Sequence, residues 1–357
     1  MRWVVASAIG AIIILGLREP IPAVESGAAA PHSKTDVVDL ALPTDNDALF
    51  RGDGPEFYQY IERDYHGVKS TPWEGGQYGF VRDPMQTATG LVYTRFHEGI
   101  DIRPVQRDQN GEPLDEVRAI ATGKVVYVNR VPGHSNYGNY VVIQHRWGSC
   151  DYYSLYAHLN AAAVKPGQSV ARGERIGRLG YTGKGINFAR AHLHLELNLM
   201  LSRQFESWYD TFTKDEPNYH GIYNGINLKG LDIARLYLAL RRDPSLTIPD
   251  FLGDEEVFYK VLLPKSAHFE LPRLYPWLVR ASSTHSTQSW EVSFARSGLP
   301  LRIEPSTRRV AKPQLNYLEK YSVDVSSLTQ GQIIGRGVKA HLSKEGEEFM
   351  RLLIWPD

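Results

Sequence analysis

The sequence predicts a mainly β protein. Its antiparallel domain is preceded by an α/coil segment and followed by a helical connector and a small C-terminal β module. Three observations predict this. Short alternating or β-branched runs, each closed by glycine, fill residues 78 to 200. Glycine and proline together supply 31 and 21 residues, rich in turns without low complexity. The 20 tyrosines add β propensity. At about 150 residues per domain, a chain of 357 residues is long enough for two domains. The 40 basic and 40 acidic residues cancel, so the broad positive footprint of a nucleic-acid binder is absent. Cys150 is the only cysteine, which excludes an intrachain disulfide and a cysteine-cluster zinc site.

Taken in order, the elements begin with Met1-Arg2 and an apolar run from Trp3 to Leu17. One positive charge, then about 15 apolar residues, then small residues near Ala28–Ala30 fit a secretory signal over residues 1–30. An uncleaved anchor is the alternative, and a buried core helix the bland one. The run is short of the roughly 20 residues a spanning helix needs. The expectation is an exported protein, periplasmic or extracellular, with no stable membrane span unless this segment stays attached. Residues 31–77 read as linker and flank, either a brace on the next domain or an inhibitory segment. Within them Asp53-Gly54-Pro55 before Glu56–Ile61 suggests a short capped helix.

The β domain is assigned to 78–202. Its strands are read at Tyr78–Val81, Lys124–Val128, Tyr140–His145 and Tyr152–Tyr156. Val164 to Gly177 carries Lys165-Pro166-Gly167 and reads as a β-turn-β corner. From 203 to 357 the period changes. Leu231, Ala234 and Leu238, ending at Arg241-Arg242, fit a helix with basic residues at its C-terminus. Strands are expected again at Trp290–Phe294 and Leu301–Ile303, with Tyr321–Val325 and Phe349–Trp355 completing the β module.

The densest chemistry lies in His192-Leu193-His194-Leu195-Glu196-Leu197-Asn198-Leu199. As a strand it sends the four polar residues to one face and the leucines to the other. Two imidazoles two residues apart suit a shared metal site; the bland reading is a half-buried strand whose polar face meets water. Phe96-His97-Glu98-Gly99-Ile100-Asp101 offers an imidazole and a carboxylate four residues apart; it is not the helical zinc-protease motif, which needs a second His where Asp101 stands and tolerates Gly99 poorly. His158 closes the Tyr152–Ala157 run, a place where a histidine is usually structural.

The order His97…Asp101, His158 and His192-x-His194, with the Val-Lys-Pro-Gly corner between the last two, resembles the lysostaphin-type (LytM-like) zinc metallopeptidases over about a third of the chain. Gly123-Lys124-Val125 and Gly138–Ile143 resemble typical strands of that domain. The resemblance implies an antiparallel β metallopeptidase domain with one zinc ion per chain. It implies His97, Asp101 and His194 as zinc ligands and His158 and His192 as catalytic histidines. The implied reaction is zinc-assisted attack of water on a peptide bond, in stem-peptide cross-links or cross-bridges of peptidoglycan. One histidine would take the water's proton and the other would hydrogen-bond the oxyanion. His192 is favoured as base, since it lies two residues from a ligand, although reversed roles suit the sequence equally.

Departures from the family pattern are an insert at Arg107–Pro113 and the spacing of Tyr93, the nearest candidate for a substrate tyrosine. The loop Tyr181–Asn187 is placed to wall the cleft. His32, His66, His134, His145, His220, His268, His285 and His341 are expected to be non-catalytic. A non-enzymatic or latent cell-wall-binding or regulatory protein on the same scaffold is the alternative function; retention of all five site positions speaks for the enzyme. A lipoyl- or biotinyl-carrier module would leave both histidine motifs without a purpose.

Overall fold

The leucine-lined face of one central strand organises the core. The computed structural model describes residues 37–356, apart from 66, 70, 72, 89, 215, 281–285 and 321–324. The expected signal or anchor at 1–30 lies outside the described residues. The main strands are β1 (Gly79–Thr87), β2 (Gly90–His97), β3 (Ile100–Ile102), β4 (Gly123–Asn129), β5 (Tyr140–Trp147), β6 (Cys150–Ala157), β7 (Ser169–Val170), β8 (Leu193–Met200) and β9 (Leu228–Gly230). β1 and β2 form a hairpin of their own, and the large sheet runs β7-β4-β5-β6-β8-β9 with β3 also on β8. Every pairing in it is antiparallel, as the alternating runs predict.

β5 and β6 are joined through Gly148-Ser149, with Trp147 opposite Cys150. Gly148 has φ 59°, the positive value that tight hairpin turns demand and that glycine adopts without a steric penalty. The Val-Lys-Pro-Gly corner leads into β7 and then into a second, three-stranded sheet built from Glu116–Arg118, Arg175–Arg178 and Ala161–Ala162.

β8 is covered along both edges. β6 lies along one, while β3 and then β9 share the other. Its leucines at 193, 195, 197 and 199 are fully buried in the main core with Ile100, Ile102, Val141, Ile143 and Tyr156. The opposite face does not meet water, as the bland reading of this strand would have it. Every residue of β8 is buried, and the polar face lies beside a second cluster of Tyr140, Val142, Leu155, Met200 and Leu228. A strand with imidazoles, a carboxylate and an amide on a buried face must satisfy each of them internally.

The flank before β1 is stitched to the sheet. Asp53 caps α1 (Gly54–Phe57), accepting from the Glu56 amide at 3.1 Å. The helix is shorter than the sequence suggests, because Phe57 and Tyr58 are drawn into the core and the chain becomes extended. The Gln59 amide donates to the Asp101 carbonyl and the Arg103 amide to the Phe57 carbonyl, both at 2.9 Å, so the segment adds to the free edge of β3.

Beyond β8 come α2 (Phe205–Phe212), α3 (Ile233–Arg242), α4 (Ile248–Gly253) and α5 (Leu271–Leu274). α3 matches the expected helix, with Asp232 as its cap and Arg241 and Arg242 in its last turn. A separate four-stranded sheet of β10 (Tyr259–Pro264), β11 (Ser289–Phe294), β12 (Pro300–Ser306) and β13 (Gln314–Leu318) runs in the order β12-β11-β10-β13. α6 (Val325–Leu328) and α7 (Lys344–Leu352) follow. The apolar run from Phe349 is therefore not the expected strand. Ser343 accepts from the Gly346 amide and starts a helix whose buried residues Gly346, Phe349, Met350 and Leu352 recur at helical spacing. Of Tyr321–Val325, residues 321–324 lie outside the described residues and Val325 opens α6. α7 docks on α2 through the Trp208 indole, which donates to the Glu348 carbonyl at 2.9 Å.

Candidate metal centre

β2 ends at His97, the chain turns through Glu98-Gly99, and β3 lays Asp101 opposite His194 of β8. The turn crosses β8 so closely that a Cβ on Gly99 would stand 2.3 Å from the Leu195 carbonyl oxygen, a position only glycine can fill. Cross-strand pairing then puts Asp101 and His194 on one face. The three expected ligands converge: His97 Nε2 lies 3.0 Å from His194 Nδ1. Asp101 Oδ1 lies 3.1 Å from His97 Nε2 and 2.9 Å from His194 Nδ1. At zinc–ligand bonds of about 2.0–2.1 Å, neighbouring ligand atoms of a tetrahedron stand roughly 3.3 Å apart. Two imidazole nitrogens and a carboxylate oxygen at these separations suit zinc. Among the described residues, these three form the one such group of His, Cys, Asp or Glu.

The outward-facing atom of each ligand is held in turn. His97 Nδ1 donates to the Gln77 carbonyl at 2.7 Å. His194 Nε2 donates to Glu196 Oε1 at 2.7 Å. Asp101 Oδ2 accepts from Arg82 at 2.6 Å. Glu196 is completed by the Tyr137 hydroxyl at 2.6 Å and the Asn198 amide at 3.0 Å. These partners fix both ring tautomers, leaving Nε2 of His97 and Nδ1 of His194 as acceptors for a cation.

The electrostatics without a cation are those of a site short of positive charge at its centre. Burial lowers His97 to about 4, aided by the Arg82 guanidinium. Burial would also neutralise His194, but hydrogen bonds to Asp101 and Glu196 raise it to about 10. Burial opposes ionisation of Asp101 as well, yet His192, His97 and Arg82 hold its carboxyl well below the usual range. A proton on His194 thus stands where a metal would supply the charge.

Both remaining expected residues stand at this centre. His192 Nε2 is 3.4 Å from Asp101 Oδ1, and its Nδ1 donates to the Arg190 carbonyl. The His158 ring lies 4.6 Å from that of His192, centre to centre, and its Nδ1 donates to the Thr182 carbonyl at 2.8 Å. His158 has φ 60°, a left-handed conformation that costs a non-glycine residue about 1–2 kcal/mol. Burial, then the neighbouring imidazoles of His192 and His194, hold His158 well below its ordinary value, so it is neutral.

All five residues line a cleft of about 1260 Å³. The expected wall loop contributes Lys184, Gly185 and Ile186. The far bank comes from residues the sequence left without a role: Trp208 and Tyr209 of α2, Lys229 of β9 and Phe349 of α7. Tyr93 is not there; it lines a separate cavity of about 370 Å³ beside Phe96 and Arg296. His134 and His220 reach the cleft rim, where His134 stacks on Tyr219 at 4.0 Å. His145 is structural, fully buried between the Thr122 carbonyl and Ser154. Sequence reasoning missed Glu196, Arg82 and Gln77 as ligand partners. Glu196 carried a signal, being two residues beyond His194 on the same strand face.

Comparison with known proteins agrees with this geometry. The sequence model of Peptidase family M23 matches residues 95–204, the stretch that holds all five histidine and aspartate positions. The peptidoglycan DD-endopeptidase ShyA of Vibrio cholerae is 48% identical over 64 residues, 18% of this chain and 14% of that protein. The murein hydrolase activator NlpD of Escherichia coli is 34% identical over 102 residues, 28% of this chain and 22% of that protein. The chain therefore spans under a quarter of the length of either relative. Among solved structures, the catalytic domain of lysostaphin from Staphylococcus simulans is 26% identical, covering 34% of this chain and 75% of its own, with a TM-score of 0.22. Residues 95–204 thus match Peptidase family M23, within a mainly antiparallel β fold.

Proposed function

We propose that this protein is an exported zinc metalloendopeptidase that hydrolyses peptide bonds in the stem-peptide cross-links or cross-bridges of peptidoglycan. The observation that carries the reading is the convergence of His97 Nε2, Asp101 Oδ1 and His194 Nδ1 within about 3 Å of one another, at a cleft that also holds His158 and His192. Zinc held by these three atoms would supply Lewis-acid polarisation of the scissile carbonyl and acidification of water.

The chain's own groups account for the proton. Nδ1 of both His158 and His192 is committed to a backbone carbonyl, so Nε2 is the atom each ring has left for chemistry. His192 accepts the proton of the attacking water at Nε2, where the Asp101 carboxylate at 3.4 Å stabilises the imidazolium that results. It then returns that proton to the leaving amine. His158, held at Nδ1 by the Thr182 carbonyl, stands beside the oxyanion and hydrogen-bonds it from Nε2 as the imidazolium, a proton that the neutral resting ring takes up from solvent. The size of the cleft suits an extended peptide better than a single small molecule. For the setting, support comes from the relatives, a peptidoglycan endopeptidase and a murein hydrolase activator. Among the described residues no helix is long and apolar enough to cross a membrane.

The likeness to the activator favours one other reading, a regulatory protein that binds wall without cutting it. Incubating the zinc-loaded chain with purified cell walls, with and without a chelator, separates the two. Chelator-sensitive release of peptides, identified by mass and lost in His158→Ala while zinc is retained, is the expected result. Binding without release from any wall type supports the regulatory reading instead.

A further inference from the structure

Three guanidinium groups gather round one tyrosine ring at the Asp101 end of the cleft. From the centre of the buried Tyr60 ring, the guanidinium carbons of Arg82, Arg63 and Arg190 stand at 4.7, 5.7 and 5.8 Å. All four residues line the cleft that holds the metal ligands. They come from three separate places: Tyr60 and Arg63 from the flank added to β3, Arg82 from β1, and Arg190 from the loop before β8.

The duties of the three cations differ. Arg82 is committed, donating to Asp101 Oδ2 at 2.6 Å and to the Gly75 carbonyl at 2.7 Å. Arg63 donates to the Tyr65 hydroxyl at 3.2 Å, and Asp83 is the acidic group nearby. Arg190 donates to the Gly185 carbonyl at 2.7 Å, and among the described residues no carboxylate lies within ion-pair distance of it. Burial and the like charges of Arg63 and Arg82 depress its pKa, which marks a cation held where its own charge is disfavoured. A divalent ion on Asp101 would make this end of the cleft more positive still. Such a site is completed by an anion from outside, and the planar fork of arginine matches a carboxylate.

We propose that Arg63 and Arg190, arrayed on Tyr60, form a subsite for a free carboxylate of the bound peptide, so that the cleft selects acidic peptides over their amidated forms. This rests on the peptidase reading for the identity of the ligand, a peptide lying across the metal. The flank before β1 is then part of the substrate site. Neither arginine side chain belongs to the catalytic machinery. The Arg190 carbonyl holds His192, and that group is unchanged by substitution of the side chain.

The test uses the full zinc-loaded chain bearing His158→Ala, so that bound peptide is not consumed. Cross-linked stem peptides are titrated calorimetrically in two forms, free acid and carboxamide. The free acid is expected to bind about tenfold or more tightly, the range of a hydrogen bond to a charged group. That preference should fall to within about twofold in Arg190→Gln and, independently, in Arg63→Gln, with zinc affinity unchanged in both. Equal binding of the two forms, binding of neither, or a preference that survives both substitutions overturns the subsite. If one variant fails to fold, the other carries the comparison. Hydrolysis by the unsubstituted chain is read separately. Preference without hydrolysis leaves the subsite standing and removes the peptidase reading, while hydrolysis without preference does the reverse.

Discussion

Zinc uptake by the metal-free protein should release one proton at neutral pH, and the structure says which. His194 is pinned between Asp101 at 2.9 Å and Glu196 at 2.7 Å, and these carboxylates hold it protonated up to about 10. The metal needs Nδ1 of that ring as a lone pair, so it competes with the proton. At pH 7 the competition weakens apparent zinc affinity about a thousandfold, roughly 4 kcal/mol. His97, lowered to about 4 by burial, has no proton to lose above pH 5, and Asp101 is already ionised. The logarithm of zinc affinity should therefore rise with a slope of one per pH unit from about pH 6 to 9, and flatten near 10. Chelator competition across that range, corrected for the chelator's own protonation, measures the slope. Calorimetry in buffers of differing ionisation enthalpy counts the proton directly. A slope of zero would mean that His194 is neutral in the empty site and the carboxylate pincer is wrong. A slope of two would mean that a second ligand is protonated.

Other expectations follow from single contacts. Glu196→Ala leaves His194 Nε2 without its acceptor and should weaken zinc binding about 10–100-fold; unchanged affinity in the same chelator competition would remove Glu196 from the centre. Gly99→Ala drives a Cβ to 2.3 Å from the Leu195 oxygen and should cost about 2 kcal/mol in denaturant unfolding, together with weaker zinc binding as β3 shifts against β8. His145 is buried neutral, lowered to about 4 by burial against an unfolded value of 6.5. The unfolded chain thus takes up its proton first, and stability present above pH 6.5 is lost as pH falls through 4, by about 3 kcal/mol. Comparing urea midpoints of the parent and His145→Gln between pH 7.5 and 4 should show a shallower loss in the variant; parallel curves would clear His145 of that role.

The cluster of His97, Asp101 and His194 was legible in the sequence because its geometry is local. A strand's period of two aligns His192, His194 and Glu196 on one face, and a four-residue step over Gly99 brings Asp101 back to His97. What surrounds the centre was not legible. Arg82 and Gln77 meet Asp101 and His97 only because the β1–β2 hairpin folds over β3, and no spacing within either segment announces it. Tyr58 to Tyr60 carry no strand signature, yet their backbone is taken up by the edge of β3. The far bank failed for a different reason. Phe349–Trp355 is a short apolar run, which fits strand and helix alike, and the cap at Ser343 decides the matter. Trp208 and Lys229 enter the cleft through packing over long sequence distances, which composition and periodicity do not encode.

β8 is closed off on both faces and along both edges, and this dictates the traffic of the ion. His97, Asp101 and His194 expose only a few per cent of their surface, and that sliver opens onto the groove where a peptide would lie. Among the described residues, ion and peptide share that opening. An occupant of the groove corks the ion inside, so a chelator would strip a resting molecule quickly and one engaged with a non-cleavable peptide slowly. Loading would then precede engagement, and loss of the ion would wait for departure.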